Sequence, residues 1–162
     1  MFPPMGVRHG FMRAADRLTQ LVIRLTGGRL GGRQLTYTIL LLETRGRKSG
    51  QPRTHALLYV RDGERYVICA SNFGAPRHPD WYWNLRAQPQ ARIQVGRRRL
   101  MVSARDAEGE ERARLWQRLH VSWPWYDRYQ AGVSREIPVV ILAPVAAADG
   151  SIEAPPRSRQ AP

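Results

Sequence analysis

The sequence predicts a mainly β fold of the α+β class, a β-barrel with α-helical additions. Three observations support this class. Five or six short segments are rich in β-branched and apolar residues, turn residues separate them, and two helical segments lie between them without an alternating strand–helix rhythm. A dinucleotide-binding parallel sheet is disfavoured, because no Gly-x-Gly-x-x-Gly follows a predicted strand.

Residues 1–35 are predicted to form a basic segment ahead of the barrel. Over residues 8–26, apolar side chains recur at helical spacing with arginines between them, which predicts an amphipathic helix. Such a helix either packs on the domain or lies on an anionic membrane surface, and its modest apolar face favours packing. A glycine-rich stretch over residues 27–32 then links the helix to the first strand.

Strand signals dominate the next part of the chain. Residues 36–43 are β-branched and apolar and predict the first strand, which a basic turn over residues 46–50 follows. Residues 54–61 and 65–70 predict two further strands. Asp62-Gly63 between them is typical of a short hairpin connection.

The remaining elements alternate between helix and hairpin. Pro79 opens a predicted short helix that runs to about Ala87. Residues 90–95 and 99–105 predict a second hairpin around Gly96.

A second helix and a last strand complete the predicted domain, which spans residues 36–145. Asp106 is expected to cap a helix over residues 107–119, whose first turn is rich in glutamate. Residues 137–142 predict the last strand. From residue 146 to 162 the composition turns to Ala, Pro, Ser and Arg without periodicity, which predicts a disordered tail.

The charge balance indicates an anionic partner. The chain of 162 residues has 26 Lys and Arg against 13 Asp and Glu, a formal net charge of +13. Nucleic acid, an anionic membrane and a phosphorylated small molecule all fit this charge. Nucleic acid is disfavoured, because the basic residues are scattered and no nucleic-acid-binding motif is present. Cys69 is the only cysteine, which excludes an intrachain disulfide and suits a reducing cytoplasm, where we expect the protein.

The basic turn carries the first candidate site. Arg47, Lys48, Ser49 and Arg53 are expected to share a concavity suited to a phosphate or a carboxylate, and Lys48 is the only lysine of the chain. The spacing of an ATP-binding P-loop is absent. No metal site is expected, because the histidines are dispersed without partners at ligand spacing.

Polar and aromatic residues mark three further candidate segments. Ser71 follows a predicted strand and either binds a ligand or caps its own loop. Trp81 and Asn84 share a helix face, which either packs in the core or contacts a planar ring. Residues 123–129 hold four aromatic side chains and predict a pocket wall, in which Tyr126 is a candidate proton donor.

Taken together, these segments resemble the deazaflavin (F420)-dependent nitroreductase family over residues 36–144. The resemblance rests on the order and spacing of these motifs: Thr44-x-Gly46-Arg47-Lys48-Ser49-Gly50-Gln51-Pro52-Arg53, Ala70-Ser71, Pro79-x-Trp81-Tyr82-x-Asn84-Leu85-x-Ala87-x-Pro89, Arg105-Asp106-Ala107, Glu110-Glu111-Arg112 and Ile137-Pro138-Val139-Val140. It implies a split β-barrel like the FMN-binding split barrel. It also implies an oxidoreductase that transfers a hydride from reduced coenzyme F420, rather than FMN, to a quinone, a nitroaromatic or an activated C=C bond.

The same resemblance implies roles for individual residues. The anionic tail and linker of the coenzyme and its ring would be held by these residues: Arg47, Lys48, Ser49, Arg53, Ala70, Ser71, Trp81 and Asn84. The catalytic residues would be Tyr126, Tyr129 and Ser71, which would contact the acceptor and supply or relay the proton. Asn72 and Trp123 depart from the family pattern on the acceptor side, which counts against nitroreduction. The alternative is a non-catalytic protein that binds a deazaflavin, a flavin or haem, and a homodimer is compatible with either.

Overall fold

A computed structural model describes residues 38–145, in which six antiparallel strands close into a barrel. The strands are β1 (Ile39–Arg45), β2 (Pro52–Asp62), β3 (Arg65–Cys69), β4 (Gln90–Val95), β5 (Arg98–Asp106) and β6 (Val139–Pro144). Their order around the barrel is β1-β2-β3-β6-β5-β4, with β4 pairing back to β1. The predicted barrel is thus confirmed, whereas the predicted N-terminal helix over 8–26 and the tail over 146–162 lie outside the described residues.

Three α-helices and one short turn of 3₁₀-helix decorate this barrel. The helices are α1 (Asp80–Ala87), α2 (Gly109–Ser122) and α3 (Trp125–Ala131), and the 3₁₀ turn is Asn72–Gly74. Within residues 38–145, none of the helices has both the length and the apolar character needed to cross a bilayer.

The alternation of side chains along each strand creates two hydrophobic cores. In β3, Tyr66 and Ile68 point into the barrel, while Val67 and Cys69 point outward. The inner core fills the barrel, and α1 closes one end of it with Trp81. The outer core lies between β3, β6 and the helices α2 and α3. β3 and β6 are therefore covered on both sides.

Two of the predicted turns differ in detail from the structure. The β2–β3 loop consists of Gly63 and Glu64, because Asp62 still pairs with Arg65. Gly63 occupies the position with a φ of +60°, which suits a residue without Cβ. The predicted hairpin around Gly96 is present, with Val95 paired to Arg98.

The predicted cap of the second helix is wrong. Asp106 ends β5, and α2 begins three residues later at Gly109. The Asp106 carboxylate accepts hydrogen bonds from the Tyr82 hydroxyl at 2.8 Å and from Arg86 Nη1 at 2.9 Å. The Asp106 side chain, which was predicted to cap the helix, therefore binds Tyr82 and Arg86 instead.

Asp62 ties the β2–β3 hairpin to α2. Its carboxylate accepts hydrogen bonds from Arg114 at 2.7 Å and 3.1 Å, from Arg118 at 2.9 Å and from Arg65. The Asp62 side chain is only 10% exposed. The hydrogen bond from Arg114, more than any other contact, lowers the pKa of Asp62 well below its usual range. This carboxylate is thus the anchor of the helix on the barrel wall.

We expect Asp62→Asn to lower the free energy of unfolding by about 2 kcal/mol at neutral pH, because charge-assisted hydrogen bonds are lost. Urea denaturation followed by circular dichroism measures this. Because folding depresses the pKa of Asp62, its stabilisation is full above the unfolded-state pKa of about 3.9 and is lost as the pH falls towards the folded-state value. The difference in free energy of unfolding between wild type and Asp62→Asn should therefore be smaller at about pH 3 than at neutral pH.

Glu64→Gln provides the matched control in the same hairpin. Glu64 is 95% exposed and meets only Arg61, at 3.6 Å. Such exposed pairs contribute little to stability. An equal loss of stability in both variants, or a gap that does not change with pH, would contradict the role given to Asp62.

Candidate functional site

The basic turn is a compact unit at the end of the barrel where β1 leads into β2. Gly46 N donates to the Gln51 carbonyl at 2.9 Å, and Gly50 N donates to the Gly46 carbonyl at 2.7 Å. The Ser49 hydroxyl folds inward and accepts from Gln51 N at 3.3 Å. A Cβ at Gly46 would lie 2.6 Å from Ser49 Oγ, so a larger residue there would displace the Ser49 hydroxyl from this position.

A buried amide on α1 supports the turn from the barrel side. Asn84 Oδ1 accepts from the backbone N–H of Arg47 at 3.1 Å, and Asn84 Nδ2 donates to Thr44 Oγ1 at 3.1 Å. Asn84 is 4% exposed and Thr44 is 3% exposed. Arg47 Nη1 also reaches Asp80 at 3.4 Å. The helix therefore fixes the position of the turn through one buried and one partly buried hydrogen bond.

The helix face predicted for ring contact is buried in this structure. Trp81 is 3% exposed and packs in the inner core together with Leu85. Of the two alternatives for this face, core packing is the one that the structure displays. Contact of Trp81 or Asn84 with a coenzyme ring stays a prediction. In the structure Trp81 packs in the inner core and Asn84 supports the turn.

Two cations beside the turn face solvent without an anionic partner. Lys48 and Arg53 are exposed, and neither forms an ion pair with any residue of the described part. Arg53 lies opposite Thr44 in the β1–β2 ladder, at the base of the turn. The structure thus brings the four predicted basic-turn residues to one end of the barrel, with two charges available to an external anion.

The predicted strand-end segment lies at the same end of the barrel, because β1 and β3 both terminate there. Ala70 is fully buried, and its N–H donates to the Pro138 carbonyl at 2.9 Å. Ser71 is half-buried. Asn72 and Phe73 follow with φ angles of 48° and 54°. Two successive residues with side chains in the left-handed region are unusual, and such backbone strain concentrates at functional sites.

Arg135 holds this loop, and sequence reasoning missed it. Its Nη2 donates to the Ser71 carbonyl at 2.8 Å, its Nε to the Ala75 carbonyl at 3.1 Å and its Nη1 to the Ala70 carbonyl at 3.3 Å. Nη1 also lies 3.0 Å from His78 Nδ1. Burial, followed by the nearby Arg135 charge, lowers the pKa of His78, which fits Nδ1 as the acceptor. One arginine among 26 basic residues gives no signal of this role in the sequence.

The helix α3 brings the predicted tyrosines to the loop. Tyr126 is 5% exposed in the outer core, and burial raises its pKa above the ordinary value. Tyr129 is half-buried, with its ring centroid 6.3 Å from that of Tyr126. A Cβ at Gly74 would lie 3.1 Å from Tyr129 Cδ1, so the ring packs closely on the loop backbone. Ser71, Tyr126 and Tyr129 therefore belong to one continuous region.

A polar clamp fixes α3 against α2. Trp116 Nε1 donates to Asp127 Oδ1 at 2.9 Å, and His120 Nδ1 lies 2.7 Å from Asp127 Oδ2. Residues 123–129 were predicted as a pocket wall, and the structure forms the helix α3 over most of them. Aromatic residues have modest helix propensity, which hid the helix, although Pro124 immediately before it suits a helix start.

We expect Asn84→Ala to lower the free energy of unfolding by about 1–3 kcal/mol, because two buried groups lose their hydrogen-bond partner. Hydrogen exchange at the Arg47 amide, whose partner is the Asn84 side chain, should also become faster. Gln88→Ala, at the exposed C-terminal end of the same helix, is the control and should change neither quantity. An Arg47 amide that exchanges at the wild-type rate in Asn84→Ala would show that the turn does not depend on this side chain.

Solved structures confirm the fold. A structure of an F420-H2 dependent reductase, FDR-A, superposes with a TM-score of 0.61 and 40% identity, over 65% of this chain and 93% of that one. A structure described as a domain-swapped dimer gives a TM-score of 0.63 and 37% identity, over 78% of this chain and 95% of that one. A haem storage protein of Vibrio cholerae, at 19% identity and a TM-score of 0.52, shares the fold alone.

Sequence comparison is more specific. An F420H(2)-dependent quinone reductase of Mycobacterium tuberculosis strain H37Rv is 45% identical over 130 residues, which cover 78% of this chain and 87% of the relative. The family profile described as F420H(2)-dependent quinone reductase matches residues 15–144. These matches confirm the predicted class, a split-barrel oxidoreductase that uses coenzyme F420. With the barrel, the basic turn and the tyrosine helix in place, the chain belongs to the F420H(2)-dependent quinone reductase family.

Proposed function

We propose that this chain transfers a hydride from reduced coenzyme F420 to a quinone at the end of the barrel that carries the basic turn. One observation carries the assignment of the site: Lys48 and Arg53 lie exposed on a rigidly supported turn without a carboxylate partner among residues 38–145. The coenzyme is anionic at its phosphodiester and its glutamate tail. An ammonium and a guanidinium on a fixed turn suit such groups, so the residues present fit the coenzyme.

The chain's own residues have distinct tasks in this proposal. Arg47, Lys48, Ser49 and Arg53 bind the anionic end, while the buried amide of Asn84 orients the turn that carries them. Ala70 and Ser71 line the path from the turn towards α3, and Trp81 stiffens the helix below. When bound, the reduced coenzyme supplies a hydride, and the quinone becomes a hydroquinone after it also takes up a proton.

The proton requires a group that keeps its hydrogen until the acceptor is reduced. Burial raises the pKa of Tyr126, so its hydroxyl stays protonated at neutral pH and can donate a hydrogen bond. Tyr129 lies closer to the loop backbone, through its contact with Gly74. We assign proton delivery to Tyr126, with Ser71 as a relay, and positioning of the acceptor to Tyr129.

The alternative is a non-catalytic protein that binds a deazaflavin, a flavin or haem. The similarity to a haem storage protein shows the barrel alone and does not favour this reading. The relatives at 45% identity are named as reductases, which favours an enzyme. The homodimer stays a prediction, supported by the neighbour described as a domain-swapped dimer. No finding supports membrane association through residues 8–26.

The direct test is titration of the purified chain with reduced coenzyme F420 and, separately, with FMN. We expect micromolar binding of the deazaflavin and weaker binding of FMN. Addition of a naphthoquinone should then oxidise the coenzyme, followed by its absorbance. A nitroaromatic and an enone, assayed in parallel, test the other two acceptor classes. Absence of deazaflavin binding would overturn the proposal.

We expect Lys48→Gln to weaken coenzyme binding by about tenfold, equivalent to about 1.4 kcal/mol, without a change in melting temperature, because the side chain is exposed. The loss should shrink as salt is raised, since the contact is electrostatic. Arg99→Gln is the control: it removes one exposed charge near the β4–β5 loop, at the opposite end of the barrel. Equal weakening in both variants would indicate a general field effect and not a site at the turn.

We expect Tyr126→Phe to retain coenzyme binding and to lower kcat for quinone reduction by about 10²-fold, a typical loss when a general acid is removed. Stopped-flow oxidation of the bound coenzyme measures the step. Tyr66→Phe is the control, because it removes a hydroxyl from a 3% exposed ring inside the barrel. Normal turnover in Tyr126→Phe would refute its role as proton donor.

A further inference from the structure

The guanidinium of Arg135 has an unusual set of partners. It lies between α3 and β6, yet its hydrogen bonds within residues 38–145 are with the segment over residues 70–78. It forms no ion pair with a carboxylate within residues 38–145. A charged group that is partly buried normally pairs with an opposite charge. Here its donors are used on three backbone carbonyls and one imidazole nitrogen instead.

The carbonyls that Arg135 binds are those that the barrel leaves without strand partners. β3 ends at Cys69, and the last ladder-like contact is Ala70 N to the Pro138 carbonyl. Beyond it the loop has two backbone hydrogen bonds of its own, Gly74 N to the Ser71 carbonyl and Ala75 N to the Asn72 carbonyl, each 3.0 Å. The same loop also holds two non-glycine residues at left-handed φ angles, a backbone conformation that persists only where surrounding contacts support it.

The shape of the guanidinium explains why an arginine is needed. Its Nε, Nη1 and Nη2 point in fixed, coplanar directions and meet Ala75, Ala70 and Ser71 respectively. An ammonium carries the same charge but lacks this planar fork and cannot reach carbonyls on both sides at once. The geometry of the partners, and not the charge alone, therefore selects the side chain.

We propose that Arg135 is a positioning residue for the coenzyme site: it holds the loop over residues 70–78 in the strained conformation in which Ser71 faces the bound coenzyme. The inference rests on the proposed function in one respect, the assignment of Ser71 to the coenzyme. Arg135 acts through the loop backbone and touches neither coenzyme nor acceptor in this proposal.

Arg112 offers a matched control. It is also a partly buried arginine, and its Nη2 donates to the Ile137 carbonyl at 3.1 Å, two residues from Arg135. It reaches Glu136 at 3.3 Å and stacks over Trp116, and among the residues that the structure describes it forms no hydrogen bond or ion pair with the loop. Its removal should disturb the same chain segment without disturbing Ser71.

The test compares Arg135→Lys, Arg135→Met and Arg112→Met in the full chain. Amide hydrogen exchange of Gly74 and Ala75, measured without coenzyme, reports the loop directly. We expect about tenfold faster exchange in both Arg135 variants, together with about tenfold weaker binding of reduced F420. The KM for a naphthoquinone at saturating coenzyme should change less than the affinity for F420, because the loop reaches the acceptor side only through the contact of Gly74 with Tyr129. Arg112→Met should lower the melting temperature alone.

Several outcomes would overturn the inference. If Arg135→Lys matches wild type in amide exchange and in F420 binding, a positive charge is enough to hold the loop and the planar guanidinium is not needed. If both Arg135 variants have a lower melting temperature but wild-type exchange and F420 binding, as expected for Arg112→Met, the residue has only a structural role. Should Arg135→Met not fold, Arg135→Lys decides alone. If wild type does not bind F420, the proposed function fails, whereas the exchange rates in Arg135→Lys still confirm or refute the hold on the loop.

Discussion

Two hydrogen bonds of the Asn84 side chain join the helix α1 to the strand β1 and to the exposed basic turn that follows it. This single amide contacts Thr44 near the end of β1 and the backbone N–H of Arg47 in the basic turn. A loop that carries several like charges would otherwise spread to reduce their repulsion. The bond to Thr44 is buried and the bond to Arg47 is partly buried, so breaking them leaves the Asn84 amide inside the protein without partners. The position of the basic turn therefore depends on the helix beneath it.

The numerous arginines divide into two populations that composition alone does not separate. Some are structural: Arg114 and Arg118 converge on Asp62, and Arg135 binds backbone carbonyls. Others, such as Arg53 with Lys48, have no anionic partner within residues 38–145. The net charge of +13 therefore overstates what is available to a ligand, and only the unpaired cations create a local attractive field.

The strands, the hairpins and the short helix after Pro79 were predictable from sequence, because each depends on local alternation and on turn residues. Three features were not. Asp106 resembles a helix cap, but Tyr82 and Arg86 compete for it from a distant helix. The helix α3 is hidden by its aromatic residues. Arg135 acts on a loop about sixty residues away, and a contact between a side chain and backbone carbonyls leaves no pattern in the chain.

The close approach of Tyr129 to Gly74 links two elements to which the proposed function gives separate tasks. In that proposal the loop belongs to the coenzyme side, which every substrate shares, and α3 to the acceptor side, where substrates differ. With 3.1 Å between the ring and a would-be Cβ, and with a φ of +73°, neither position tolerates an independent change of size. New acceptor preferences are therefore easier to acquire at positions of α3 that point away from the loop, and substitutions at 129 are expected to require a compensating shift of the backbone at 74.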